Sequence, residues 1–205
     1  KGHLFIAQPP LYKLKKGKME RYVKSEKEFT EIIVGAGVES VSIEAANKRT
    51  TKADTVKDLL VRVRDIQITL EEIQQERIDE RVIVALSESP IEFSDTQWKR
   101  DVLTAALPKI QQALAKRIPI EPTIEIVDDH DGEVAIRVVS RRRGQTLTTL
   151  VTRRLWISDK IASVRRVYTD TSKQIGEGPY TITATGESKE LEKMDSIEGV
   201  ADWVD

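Results

Sequence analysis

Cysteine is absent from this 205-residue chain, which excludes disulfides and thiolate metal sites. Histidine is scarce: His3 and His130 are the only two, so imidazole acid–base chemistry has few candidates. Aromatic residues make up 5%, so a core has to be built mainly from aliphatic side chains. Neither sign of charge prevails, because 33 Lys and Arg stand against 34 Asp and Glu for a net charge of -1. The molecule as a whole therefore does not attract a polyanion, and only local patches can do so. No apolar run approaches the ~20 residues of a membrane-spanning helix. Also missing are a GxxxxGK[ST] phosphate loop, an HExxH zinc motif and a GxSxG nucleophile turn. Ser, His and Asp occur at no spacing that marks a catalytic triad.

What is present is 39% hydrophobic and 33% charged, the balance of a globular protein with a heavily charged surface. The length suits one large domain or two small ones. Leu4 to Ala7 is a short apolar run, as in a strand buried on both faces, and Pro9-Pro10 ends its ladder. Leu11, Tyr12 and Leu14 then approach a lysine-rich turn, Lys15-Lys16-Gly17-Lys18, with Tyr22-Val23 returning as the second arm of a hairpin. Ser25 and Glu28 have capping-box spacing ahead of a helix face of Phe29, Ile32 and Ile33. Gly35-Ala36-Gly37 is expected to end that helix; a dinucleotide loop would need a third glycine and a preceding strand. Val38 to Ile43 reads as a strand.

From Val56 to Ile73 apolar residues recur at three- and four-residue steps, and the pattern resumes from Ile78 to Leu86 after a phase break. With no Pro or Gly between Thr55 and Ser89, this is one long helix or two, with Thr69 as a cap of the second. Ser94 or Asp95 is expected to cap a further helix carrying Trp98, Leu103, Ile110 and Leu114, kinked or broken at Pro108. From Ile118 the chain turns β-like, with turns expected at Asp131-Gly132 and Gly144. Leu147 to Trp156 reads as a strand, Ser158-Asp159 caps a helix, and Tyr180 to Thr185 is a short strand. Asp195-Ser196 starts the last helix. The fold class is α+β, and no fixed-period repeat points to a solenoid.

Two groups of cations stand out. Lys13, Lys15, Lys16, Lys18, Arg21 and Lys24 crowd one hairpin, and Arg141-Arg142-Arg143 precede a turn, with Arg153-Arg154 expected opposite across it. Cations at turns contact phosphates without reading bases; lysines also protect an edge hairpin from pairing with other chains. Asp128-Asp129-His130-Asp131-Gly132-Glu133 is the most ligand-like acidic cluster. Val127 stands where a calcium loop needs its first acid, so a solvated hairpin turn is the expectation.

The string GHLFIAQPPLYKLKKGK with RYVK after it resembles the B subunits of bacterial DNA gyrase, within their Toprim domain, where a strand leads into a basic hairpin. Gln8, Pro9, Pro10, Leu11, Tyr12 and Lys13 match the family's strand; Lys15, Lys16, Gly17 and Lys18 match its basic turn. Ser196 to Trp203 resembles the helix on which some gyrases return to the Toprim core after a long insertion. The resemblance implies residues 1–28 as Toprim-type strand and hairpin, 29–190 as an insertion domain, and 191–205 as the start of the returning helix. It implies an ATP-dependent topoisomerase parent, introducing negative supercoils with magnesium and ATP. The partners implied are the gyrase A subunit, two of each in a heterotetramer, and double-stranded DNA; the location implied is cytoplasmic, with no membrane. The family's magnesium and ATP sites lie in other segments, so no catalytic, cofactor or metal residue is expected here. Lys13, Lys15, Lys16, Lys18, Arg21, Arg141, Arg142 and Arg143 remain as expected DNA contacts. The rival reading is a self-contained α+β module that binds nucleic acid or protein.

Overall fold

The long aliphatic periodicity resolves into two helices, and a left-handed residue separates them. In the computed structural model, which describes residues 12–16, 19–38, 41–89, 91, 93, 98–184 and 190–204, α2 spans Ala53–Gln75 and α3 spans Glu80–Glu88. Arg77 has φ of 63°. Its N–H donates to the Gln74 carbonyl at 2.9 Å, and the Ile78 N–H reaches the Ile73 carbonyl at 3.3 Å. This is a Schellman ending built without glycine. The next helix is capped by Asp79, whose side chain accepts from the Arg81 N–H, and not by Thr69.

The chain divides into two units, residues 1–64 with 175–205, and residues 65–174, the boundary falling inside α2. In the first unit, β1 (Tyr12–Lys16) and β2 (Met19–Val23) form the expected hairpin, followed by α1 (Glu26–Val38). The strand expected at residues 4–7 lies outside the described residues. β3 (Val41–Glu44), β4 (Thr50–Thr51), β8 (Tyr180–Ala184) and β9 (Glu190–Met194) make an antiparallel sheet in the order β4-β3-β8-β9. Ile43 and Ile182 oppose each other on its central pair, and both are fully buried. α1 packs against β2, β3 and the final helix α7 (Ile197–Val204), which also touches β8 and β9.

One expectation is overturned here: Gly35, Ala36 and Gly37 do not end α1, which continues to Val38. Gly35 admits a neighbour instead, since a Cβ there would stand 2.9 Å from the Lys57 Nζ. The edge strand β9 carries no clean alternation and was not expected.

In the second unit α3 lies against α4 (Arg100–Arg117) and α6 (Asp159–Gln174). Val82 to Ser87 are six consecutive buried residues, as expected of a helix covered on more than one side. α4 is unbroken at Pro108. Pro108 and Thr104, four residues earlier, are both exposed, so the carbonyl that loses its helical donor can bond water. Its N-cap is Lys99, without a side-chain cap bond; residues 94–97 are outside those described. Trp98 precedes the helix and clusters with Phe93 and Trp156, ring centroids 5.6 to 6.3 Å apart. Both indoles are satisfied by carbonyls, Trp98 by Val134 at 2.7 Å and Trp156 by Phe93 at 3.1 Å.

β5 (Thr123–Asp128), β6 (Val134–Arg142) and β7 (Gln145–Thr152) form an antiparallel meander. The turn between β6 and β7 is Arg143-Gly144, with φ of 48° and 80°, the paired positive values a two-residue hairpin needs. The strand expected up to Trp156 stops at Thr152, whose hydroxyl accepts from the Leu155 N–H and starts α5 (Arg153–Ile157). Ser158 caps α6 as expected, its hydroxyl 3.4 Å from the Ile161 nitrogen.

The helical register of α2 can be tested by a pair of substitutions two residues apart. Ile66 is 4% exposed and Ile68 58%. Ile66→Asp buries an unpaired carboxylate and is expected to lower unfolding free energy by about 3 kcal/mol or more. Ile68→Asp should stay within about 0.5 kcal/mol. Equal effects in urea unfolding would contradict this register.

Candidate nucleic-acid interface

The N-terminal hairpin has two unlike faces. Cross-strand partners share a face, and the register pairs Tyr12 with Val23 and Leu14 with Arg21 on one side, Lys13 with Tyr22 and Lys15 with Glu20 on the other. The first face is turned to α1: Tyr12 stacks on Phe29 with centroids 4.5 Å apart, and Val23 is fully buried. The second is solvent-facing, with Lys13, Lys15, Glu20 and Tyr22 all exposed. Alternation along two short strands thus separates cations that stand together in the sequence.

Arg21 is on the α1 side, where its guanidinium meets the Glu28 carboxylate at 3.0 Å. The capping box closes around this pair. The Glu28 N–H donates to the Ser25 hydroxyl at 3.2 Å, while its carboxylate accepts from the Lys24 N–H at 3.2 Å. Glu28 therefore fixes the hairpin to the start of α1. Of the expected contacts, Lys13 and Lys15 share the outer face. Lys16 pairs with Met19 in register; its side chain and all of Lys18 lie outside the described residues.

The second group of arginines is also divided. Arg142 forms an ion pair with Glu80, its Nη1 2.6 and 2.8 Å from the two carboxylate oxygens, and is half-buried. Arg141 and Arg143 are exposed at the tip of the hairpin. Arg153 and Arg154 do not face them: Arg142 pairs with Gln145, and Ala135 with Thr152, so these two arginines fall at the opposite end. There they line an open groove of about 470 Å³ with Asp129, His130 and Asp131. The acidic loop is a hairpin turn, in which Asp129 Oδ1 accepts from the Asp131 and Glu133 N–H groups, both at 2.9 Å. Among the described residues no group of three or more His, Asp or Glu is arranged to hold a metal ion, and no described helix is long and apolar enough to cross a membrane.

What holds the arginine-tipped hairpin in place was not legible in the sequence. Asp79 is completely buried. Its carboxylate accepts from Arg81 Nε at 2.9 Å and Nη2 at 2.7 Å, and from the Ser140 hydroxyl at 2.5 Å. Its own N–H donates to the Thr149 hydroxyl at 2.9 Å. Arg81 also reaches the Arg141 carbonyl at 3.2 Å. The start of α3 is thereby tied to both β6 and β7. Burial alone would raise the Asp79 pKa, but the hydrogen bonds from Arg81 and Ser140 and the Arg81 charge outweigh it and hold the carboxyl below its ordinary value. The hydrogen bond to Asp79 raises Arg81 in turn.

A depressed folded pKa stabilises the fold above the unfolded value, about 3.9 for aspartate, and the contribution is lost as pH falls through the folded value. Asp79→Asn is thus expected to be less stable by about 3 kcal/mol near neutrality. That deficit should shrink below about pH 4. Urea unfolding at stepped pH checks this; a deficit independent of pH would contradict it.

Comparison with known proteins returns to the first hairpin. A family model described as "GyrB, hook" matches residues 10–31, which covers both strands and the first part of α1. Over the N-terminal part, the chain is 36% identical to the B subunit of DNA gyrase from Rickettsia bellii across 63 residues, 31% of this chain and 8% of that protein. The B subunit of Helicobacter pylori DNA gyrase is 39% identical across 74 residues, 36% of this chain and 9% of that protein. The B subunit of the type 2 topoisomerase from Aquifex aeolicus is 35% identical across 66 residues, 32% of this chain and 8% of that protein. The matched segments thus span less than a tenth of these relatives. Over this N-terminal segment the chain is similar to the B subunits of DNA gyrase.

Proposed function

We propose that the chain is a non-catalytic accessory part of a gyrase-type topoisomerase, bracing the cleavage core and the DNA it holds. On this reading residues 1–28 are strand and hairpin of a Toprim domain, 29–190 an insertion, and 191–205 the start of the helix returning to that domain. The parent introduces negative supercoils in the cytoplasm with ATP and magnesium, in a complex of two B and two A subunits, and this chain binds neither cofactor. The observation that carries the reading is the coincidence of the family match at 10–31 with a hairpin whose outer face bears Lys13 and Lys15. Such lysines hold phosphates without reading bases. Arg141 and Arg143, exposed at the other hairpin tip, are proposed as a further phosphate contact, while Arg21 and Arg142 serve the fold first.

Two outcomes follow. Replacing Lys15, Lys16 and Lys18 by Ala in the full-length protein should weaken binding of unrelated duplexes alike. The slope of log affinity against log salt should fall by about one unit for each phosphate no longer neutralised. Parallel lines would make these lysines ordinary edge protection. Purified alone, the chain should neither cleave DNA with magnesium nor hydrolyse ATP, because the acidic metal site and phosphate loop these reactions use are not in its sequence. Turnover of either substrate would overturn the non-catalytic assignment.

A further inference from the structure

The outer face of the first hairpin contains one residue that does not suit a surface for DNA. Glu20 stands directly across from Lys15 and beside the Lys13–Tyr22 pair. A single carboxylate oxygen, Oε1, lies 2.6 Å from the Lys13 Nζ and 3.2 Å from the Tyr22 hydroxyl. The Lys13 ammonium is also 5.5 Å from the centre of the Tyr22 ring. Tyr22 is 55% exposed, among the described residues one of the few large apolar side chains so open to solvent. A cation and a hydroxyl donor thus converge on one anionic oxygen, and a second lysine flanks it.

That arrangement is what a phosphate oxygen would require. Resting on the reading of this hairpin as a DNA face, we propose that Glu20 is an internal stand-in for a DNA phosphate. The backbone phosphate takes its place between Lys13 and Tyr22 on binding, and the carboxylate swings into solvent. Its release is easy, because the Lys13 and Glu20 side chains are 51% and 40% exposed, and exposed ion pairs are weak and screened by salt. Until then the carboxylate keeps Lys13 neutralised and repels stray anions, so the face engages only a duplex already held by the rest of the protein. Tyr22 becomes a contact residue: its hydroxyl donates to the phosphate, and its ring supports the lysine that binds it.

The test is duplex affinity across a salt titration in the full-length protein, with Glu20→Gln, Lys13→Ala, and Tyr22→Phe in the Glu20→Gln background. Glu20→Gln should bind about two- to fivefold more tightly. Its salt slope should steepen by less than about one unit, because added salt screens the ion pair that only the unaltered protein must break on binding. Tyr22→Phe should then remove part of that gain. If Lys13→Ala weakens binding while Glu20→Gln leaves affinity and slope unchanged, the stand-in is refuted and the DNA face survives. If neither substitution alters affinity or slope, the hairpin is not a DNA face and both readings fall. Coincident thermal unfolding of Glu20→Gln and the unaltered protein serves as the folding control.

Discussion

A carboxylate at the start of a helix anchors each of the two cation-bearing hairpins. In the first unit Glu28, in the first turn of α1, gathers the Lys24 N–H and the Arg21 guanidinium. In the second, Asp79 at the cap of α3 gathers Arg81, Ser140 and Thr149. A negative group at a helix start is favoured by the unpaired N–H groups and the macrodipole there. Asp79 carries the heavier consequence because it has no access to water. A buried carboxylate is tolerable only when paired and fully hydrogen-bonded, and breaking such a pair strands a charge. The geometry of α3, β6 and β7 is therefore fixed together.

This anchoring divides the cations into two kinds. Arg21, Arg81 and Arg142 are held by Glu28, Asp79 and Glu80. Lys15, Arg141 and Arg143 are left on solvent-facing positions. A chain with a net charge of -1 can still present local positive potential, provided its acids are engaged inside the fold rather than beside the exposed cations. On the first hairpin Glu20 departs from that separation, which is why its position against Lys13 and Tyr22 is informative.

Much of this was legible in the sequence, because it is local. Asp131-Gly132 and Gly144 marked real turns, Ser25 and Glu28 a real cap, and the three- and four-residue spacing found the buried positions of α2 and α3. What escaped depends on distance or on exceptions to residue preference. Two partners of Asp79, Ser140 and Thr149, lie 61 and 70 residues away, and no local pattern announces a buried aspartate. Arg77 takes a left-handed conformation that usually calls for Gly or Asn, so the end of α2 carried no signal. Gly35 to Gly37 looked like a stop but sit inside α1, with the end of the Lys57 side chain close to Gly35. The candidate DNA face was half legible: the clustering of lysines is in the sequence, but the sorting of Arg21 to the opposite side needs the strand register.

That the outer face of the first hairpin lies against DNA can be measured by site-specific crosslinking. The chain contains no cysteine, so Lys15→Cys gives a unique attachment point for a photoactivatable group, provided other cysteines of the full-length protein are removed. Ile68→Cys, on an exposed position of α2, serves as the control. Irradiation with labelled duplex should crosslink DNA from Lys15→Cys well above Ile68→Cys, and added salt should suppress the difference. Crosslinking from Lys15→Cys no greater than from Ile68→Cys would contradict the placement of this hairpin on DNA.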